Sequence, residues 1–242
     1  MSSVTVDPTV DALAKWSGLL RWGGLAALVS VALIVVQLVA FVIWPPVHTV
    51  AEVFEVMAES PVVGLLSLDA VYIVNNVAVW LFYVGLGVAL WQVSRSGAVA
   101  AIGLGTLQMS AYFASNPALE MLVLGRAHAA AGPTTRATLM AAGEAVLAAW
   151  KGTAFVTYYL LGAVVLLIFA WLLRRSPRFD RASAWWALAS GLLMVVPSPF
   201  GTVGMVFAIA SLLPWSVFCV LAGRRLVGLA GDRRAVSQQP PG

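Results

Sequence analysis

Asp69, Glu120 and Lys151 are ionisable residues set in otherwise apolar runs, and each begins or joins a polar stripe. Asp69, Tyr72, Asn76 and Tyr83 are spaced +3, +4 and +7, with Asn75 beside Asn76. On a helix these positions share one face. Gln108, Tyr112, Asn116 and Glu120 repeat every four residues, and Glu144, Lys151 and Tyr158 every seven. Charge in hydrocarbon is costly and often functional, and asparagine there must find a partner. The chemistry this pattern suggests is ligand binding. An outward-open polar cavity would be floored by Asn75, Asn76 and Gln108, with Asp69, Glu120 and Lys151 at its mouth. Lys151 would pair with a small anionic or zwitterionic group, or with the head of an amphiphile. Tyr72, Tyr112, Asn116 and Tyr158 complete the candidate binding set. The competing reading is structural: the stripes are interhelical hydrogen bonds, and Lys151 snorkels to water at the membrane edge.

The elements that would position these residues are membrane helices. The chain has 242 residues, 61% hydrophobic and 10% charged, against about 25% charged in a soluble domain. Long apolar runs indicate helices rather than a barrel. Six runs reach spanning length, at about 22–44, 66–92, 98–124, 148–173, 184–199 and 202–223. The fifth is short and ends in Pro197-Ser198-Pro199-Phe200-Gly201, which forces a tight turn; re-entry is the alternative. The fold class expected is all-α: a polytopic six-helix membrane domain over 22–223 with a small extracytoplasmic helical cap. It is preceded by a cytoplasmic segment, 1–21, and followed by a disordered cytoplasmic tail, 224–242. The first span is longer than a signal-peptide core and is read as retained.

Orientation follows from the basic residues. Lys15, Arg21, Arg95, Arg174, Arg175, Arg178, Arg181, Arg224, Arg225, Arg233 and Arg234 fall at one end of a six-span chain; Arg126, Arg136 and Lys151 fall at the other. Positive-inside then puts both termini in the cytoplasm of a multi-pass protein of the plasma (inner) membrane. At the other end, Val50, Val53, Phe54 and Met57 recur at i, i+3, i+4 and i+7 opposite Glu52, Glu55 and Glu59. That pattern predicts an amphipathic helix over 49–60 lying on the outer rim. Ser60-Pro61 should start the second span. Gly132-Pro133 divides two helix-favouring stretches, 118–131 and 134–150, into a hairpin beyond the bilayer. At about 1.5 Å per residue, Asp69, Glu120 and Lys151 all fall roughly 33 Å from the cytoplasmic ends of their spans. They form a layer at the rim, not a midplane relay.

Other chemistry lacks a foothold. One cysteine, Cys219, excludes an intrachain disulfide and a multi-cysteine metal site. His48 and His128 lack metalloprotease spacing, and a two-histidine site with Glu52 or Glu120 is the remote alternative to rim histidines. No metal and no cofactor are called for. No Gly-x-Ser-x-Gly and no phosphate-binding loop occurs. The arginines sit at span ends, so the net charge of +4 is not a nucleic-acid signal. Asn116-Pro117-Ala118 is similar to the aquaporin signature, but no second copy and no following arginine exist. Lys151 is too shallow, in too few spans, for a retinal Schiff base. No internal repeat is visible.

Trp185–Gly191, the Pro197…Gly201 break, and Pro214-Trp215 followed by Gly223-Arg224-Arg225-Leu226 occupy the last quarter of the chain. On these the chain resembles a bacterial family of six-helix membrane proteins carrying a domain of unknown function. The resemblance implies six spans and no assigned activity. The functional expectation is a small membrane protein that binds, or helps to move, a small or amphiphilic ligand among membrane lipids, with homo-oligomerisation left open. The alternative is a partner subunit whose stripes only hold the bundle together. A lipid-head-group enzyme, with Glu120 or Asp69 as general base, ranks last because no nucleophile or metal set accompanies it.

Overall fold

A computed structural model describes residues 15–237. Its helices are α1 (Ser17–Ile43), α2 (Val50–Glu59), α3 (Pro61–Ser67), α4 (Ala70–Ala89), α5 (Arg95–Ser115), α6 (Ala118–Ala130), α7 (Pro133–Trp150), α8 (Thr153–Arg175), α9 (Arg181–Leu193) and α10 (Gly201–Ser237). No strand occurs among the described residues. Five stretches are long and apolar enough to cross a membrane: Ser17–Ile43, Ala70–Ala89, Arg95–Ala130, Pro133–Arg175 and Gly201–Gly231. The chain is therefore an all-α, multi-pass membrane bundle in its composition and element lengths. The fifth expected span, 184–199, is α9, whose 13 residues rise about 20 Å. That is short of the roughly 30 Å hydrocarbon core. The chain leaves the helix at Met194 and turns through Pro197–Phe200 into Gly201, whose φ of 66° suits glycine. The last helix does not stop at 223 but runs on to Ser237. Residues 1–14 of the N-terminal segment and 238–242 of the tail lie outside the described residues.

The chain divides into two compact units. Among the described residues the first comprises 15–31, 78–107 and 159–237. Within it glycines set the helix crossings. A Cβ on Gly24 would lie 2.6 Å from the Gly223 carbonyl oxygen, and one on Gly23 3.1 Å from the Gly85 Cα. Backbones this close need residues without side chains. Phe82, Tyr83, Phe169, Trp215 and Phe218 fill the centre with ring centroids 5.3–6.4 Å apart. Helix α9 packs on α10, and Gly191 brings it against Leu166 and Ala163 of α8. Arg225 Nε donates to the Arg178 carbonyl at 2.6 Å, so the chain leaving at Arg181 returns beside its starting point. A Cβ on Gly97 would meet Leu172 and Trp171. The arginine-bearing ends of α1, α5, α8 and α10 thus lie at one end of this unit.

The second unit, 32–77 and 108–158, contains α2, α3, α6 and α7 whole. The amphipathic helix forms, with Thr49 as N-cap and a reciprocal bond between Thr49 and Glu52. Its apolar face does not lie on lipid. Val50, Val53, Phe54 and Met57 join Leu68, Ala118 and Met121 in a buried core. The reason is visible in α6 and α7: a Cβ on Gly143 would collide with Val50 and Phe54, and Gly125 accommodates Met57 and Phe54. Ser60 does cap a helix, its Oγ accepting from Val63 N at 3.5 Å. That helix is the seven-residue α3, not the span itself. The hairpin of α6 and α7 forms around Gly132 as the composition predicts.

His48 N and Thr49 N both donate to Glu52 Oε2 at 3.0 Å, and these bonds hold the Glu52 carboxyl below its usual range. The contribution is complete above the ordinary carboxylate range and fades as pH falls through the lowered value. We therefore expect the start of α2 to fray in acid, and Thr49→Ala to cost about 1 kcal/mol of local stability at neutral pH. Hydrogen exchange at Val50–Val53, corrected for intrinsic rate, checks both. Equal protection at neutral and acid pH would show that the capping box does not hold this turn.

Candidate functional site

All ten candidate residues belong to the second unit. The structure separates them into three groups. Tyr112, Asn116, Asn75, Asn76 and Gln108 are buried, Asp69, Tyr72 and Tyr158 are partly buried, and Glu120 and Lys151 are exposed.

The first group surrounds a break. Helix α3 ends at Ser67 and α4 begins at Ala70, with Asp69 at φ 59°, the only non-glycine residue of positive φ among those described. Aspartate tolerates this conformation better than most residues, yet it costs roughly 1–2 kcal/mol. Three carbonyls at the break accept from side chains outside α3 and α4, Leu66 O and Asp69 O in addition to the backbone N–H groups of Asp69 and Tyr72. Gln37 Nε2 donates to Leu66 O at 3.1 Å, Asn116 Nδ2 to Leu68 O at 3.0 Å, and Tyr112 OH to Asp69 O at 3.3 Å. At about 1 kcal/mol each, these three bonds outweigh the strain of one left-handed residue. Asn116 does more: its Oδ1 accepts from Ala118 N at 3.1 Å and its Nδ2 also reaches Tyr112 OH at 3.3 Å. Pro117 therefore does not kink a continuous span. It sits in a break between α5 and α6 that Asn116 closes.

A third break lies at Lys151-Gly152, between α7 and α8. The +7 stripe of Glu144, Lys151 and Tyr158 assumes one unbroken helix, and the break ends that register. Lys151 caps α7 with its Nζ 5.7 Å from the centre of the Trp150 ring. It is the charge that acts on Asp69, but no ion pair joins Asp69, Glu120 or Lys151 among the described residues. Glu120 lies in the first turn of α6, where a carboxylate opposes the positive helix end. The three breaks fall 20–24 residues from Ala89, Arg95 and Arg175, or about 30–36 Å, one hydrocarbon thickness.

The third group lies deeper along α4 and α5. Leu68 faces Asn116 and the Tyr72 ring lies 6.4 Å from the Tyr112 ring. Each step of four along α4 matches a step of four back along α5. By that register Asn76 and Gln108 are the next pair along the two helices. Asn76 Nδ2 donates to the Tyr72 carbonyl at 2.8 Å, which leaves its oxygen pointing elsewhere. Asn75 Oδ1, Asn76 Oδ1 and Gln108 Oε1 are buried without a hydrogen-bond partner. Three orphan acceptors near one level are unusual, since buried polar atoms nearly always find partners. Tyr112 closes the layer on the side of α8 with Phe155 and Tyr158, ring centroids 6.4 and 5.1 Å away.

Sequence reasoning missed Gln37. Its signal was present: Ser30 and Gln37 are the only hydroxyl or amide residues in 22–44, spaced +7. His48 and His128 serve packing and capping; His128 lies 5.0 Å from the Phe54 ring.

Asn116→Leu removes the partner of Leu68 O and of Ala118 N together. We expect it to lose about 2–4 kcal/mol, from roughly 1–2 per orphaned group, and Tyr112→Phe about 1 kcal/mol. Unfolding in mixed micelles measures both, and a neutral Asn116→Leu would remove the clasp from this account. No family model, no curated protein and no solved structure matches this chain.

Proposed function

We propose that this chain binds, or helps to move, a small or amphiphilic ligand at the layer of Asn75, Asn76 and Gln108. The observation that carries the reading is the set of buried amide oxygens without donors. Each such group costs about 1–3 kcal/mol when left unpaired. A ligand that supplies N–H or O–H donors would recover that cost, so an amine-bearing or hydroxylated head group fits better than one without donors. Asp69, Glu120 and Lys151 then serve as the entrance, where Lys151 attracts the anionic part of a zwitterion. Tyr112 and Asn116 position the site by holding the break above it.

The topology we propose with this function has six passages in the plasma (inner) membrane and both termini in the cytoplasm. The contact of Arg225 with Arg178 supports it, because α9 and α10 together go out and back. The arginine-bearing helix ends of the first unit would face the cytoplasm by the positive-inside rule, and α2 with the α6–α7 hairpin would form the extracytoplasmic cap.

A second reading has its own observation. Gln37, Tyr112 and Asn116 are spent on backbone carbonyls, as expected if the stripes only hold helices together. The two readings differ in sign at Asn75 and Gln108. If these are ligand groups, Asn75→Leu and Gln108→Leu remove unpaired oxygens and leave stability equal or higher. If they are glue, each loses about 0.6–1.7 kcal/mol. We expect lysophosphatidylethanolamine, whose ammonium donates hydrogen bonds, to raise the unfolding temperature of the purified protein more than lysophosphatidylcholine, whose ammonium cannot. The preference should vanish in Gln108→Leu, whereas Lys151→Ala should lower both shifts, because the phosphate is common to the two lipids. Equal shifts from both lipids, or a preference untouched by Gln108→Leu, would rule the amide layer out as the site.

A further inference from the structure

The first unit carries a second feature that the amide layer does not use. Where α8 ends and α9 begins, a cleft of about 370 Å³ opens between the two helices. Arg174 and Arg181 stand on its walls with Trp171 and Trp185, and Leu167 and Leu188 line its apolar part. The arginines and tryptophans are exposed. The Arg174 guanidinium lies 5.5 Å from the centre of the Trp185 ring, and Arg175 lies 4.3 Å from that of Trp171. Stacking of this kind fixes the plane of a guanidinium while leaving its N–H donors pointing outward. Trp171 and Leu167 are shared with a second groove of about 380 Å³, which continues past Gly97, Ala100, Val164 and Ile168. That groove is wholly apolar in its side chains. A basic cleft therefore opens onto an apolar trough through a common wall.

Charge balance sharpens the point. In residues 78–107 and 159–242 the only acids are Asp180 and Asp232, against Arg95, Arg174, Arg175, Arg178, Arg181, Arg224, Arg225, Arg233 and Arg234. Among the described residues no carboxylate is within ion-pair distance of Arg174 or Arg181. Positive-inside topology asks only for basic residues beside the spans. It does not ask for two guanidiniums across one cleft, a tryptophan stacked under one of them, or a trough beside it.

We infer that this cleft and groove hold one anionic phospholipid. Arg174 and Arg181 bind its phosphate, the tryptophans sit at the glycerol level where such rings prefer the interface, and one acyl chain lies in the trough lined by Gly97 and Val164. Planar guanidinium forks suit phosphate oxygens. The apolar lining of the trough accounts for a lipid rather than a free anion, which would leave it empty.

Native mass spectrometry of the purified full chain tests the inference, with phosphatidylglycerol and phosphatidylcholine offered together. We expect one phosphatidylglycerol to be retained in preference by roughly tenfold or more, and the double variant Arg174→Gln/Arg181→Gln to fall to near parity. Arg21→Gln/Arg224→Gln removes the same charge away from the cleft and should keep the preference; an equal fall there means a diffuse charge effect and overturns the site. Leu188→Trp fills the cleft but keeps both guanidiniums, so it should also lose the lipid, and retention would overturn the site. Millimolar inorganic phosphate should not displace the lipid. Full displacement would make this a free-anion site and defeat the lipid assignment. Size-exclusion behaviour like that of the unsubstituted chain qualifies each variant for the comparison.

Discussion

The break at Leu68–Asp69 is held by side chains from neighbouring helices: Gln37, Asn116 and Tyr112 donate to the carbonyls of Leu66, Leu68 and Asp69. Leu66 O and Asp69 O also accept from Asp69 N and Tyr72 N, so these donors add to a turn that is already partly bonded. They must also sit at the right height, which fixes the register of α5 against α3 and α4. Asn116 can reach Leu68 only if Tyr112 lies beside Tyr72, and the rest of the antiparallel pairing follows. The left-handed Asp69 is the local cost of this arrangement, and the three side-chain bonds offset it.

The same constraint explains why the other breaks occur where they do. Asn116-Pro117 and Lys151-Gly152 interrupt their helices about one hydrocarbon thickness from the opposite ends. At that level water, or a capping side chain, can serve exposed backbone groups. Below it, an unpaired group is expensive. Beyond the breaks, α6 and α7 pack on α2. Gly125 and Gly143 make room for Phe54, Val50 and Met57. The amphipathic pattern of α2 serves a protein core where lipid was the obvious reading.

Much of this was legible in the residues. The apolar runs located the long helices, the i, i+3, i+4, i+7 pattern of Val50, Val53, Phe54 and Met57 marked an amphipathic helix, and Gly132-Pro133 divided the hairpin. The +4 spacing of Gln108, Tyr112 and Asn116 gave a face that is indeed buried. What composition could not supply was the difference between a run and a helix. Residues 66–92 and 148–173 read as continuous because hydropathy averages over Asp69 and over Lys151-Gly152. Backbone conformation at single residues decided otherwise. The run at 184–199 looked like a span because proline and glycine add little polarity, yet they end α9 at 13 residues. Gln37 was missed because one amide in 23 apolar residues is easily read as tolerated, when its carbonyl partner lies 29 positions away.

The division among the polar residues now bears on mechanism. A stripe that were only glue should be satisfied along its whole length, because an unpaired amide weakens the bundle it is meant to hold. Here satisfaction stops partway. Asn116 uses both its oxygen and its nitrogen, Asn76 uses its nitrogen alone, and the oxygens of Asn75 and Gln108 have no donor. Leucine at any of these positions would bury as well without that penalty. Gln37 likewise uses its nitrogen while its oxygen has no donor, so Asn116 is the amide of the set that is bonded at both ends. On the proposed reading, the clasp would supply rigidity and the orphaned oxygens selectivity.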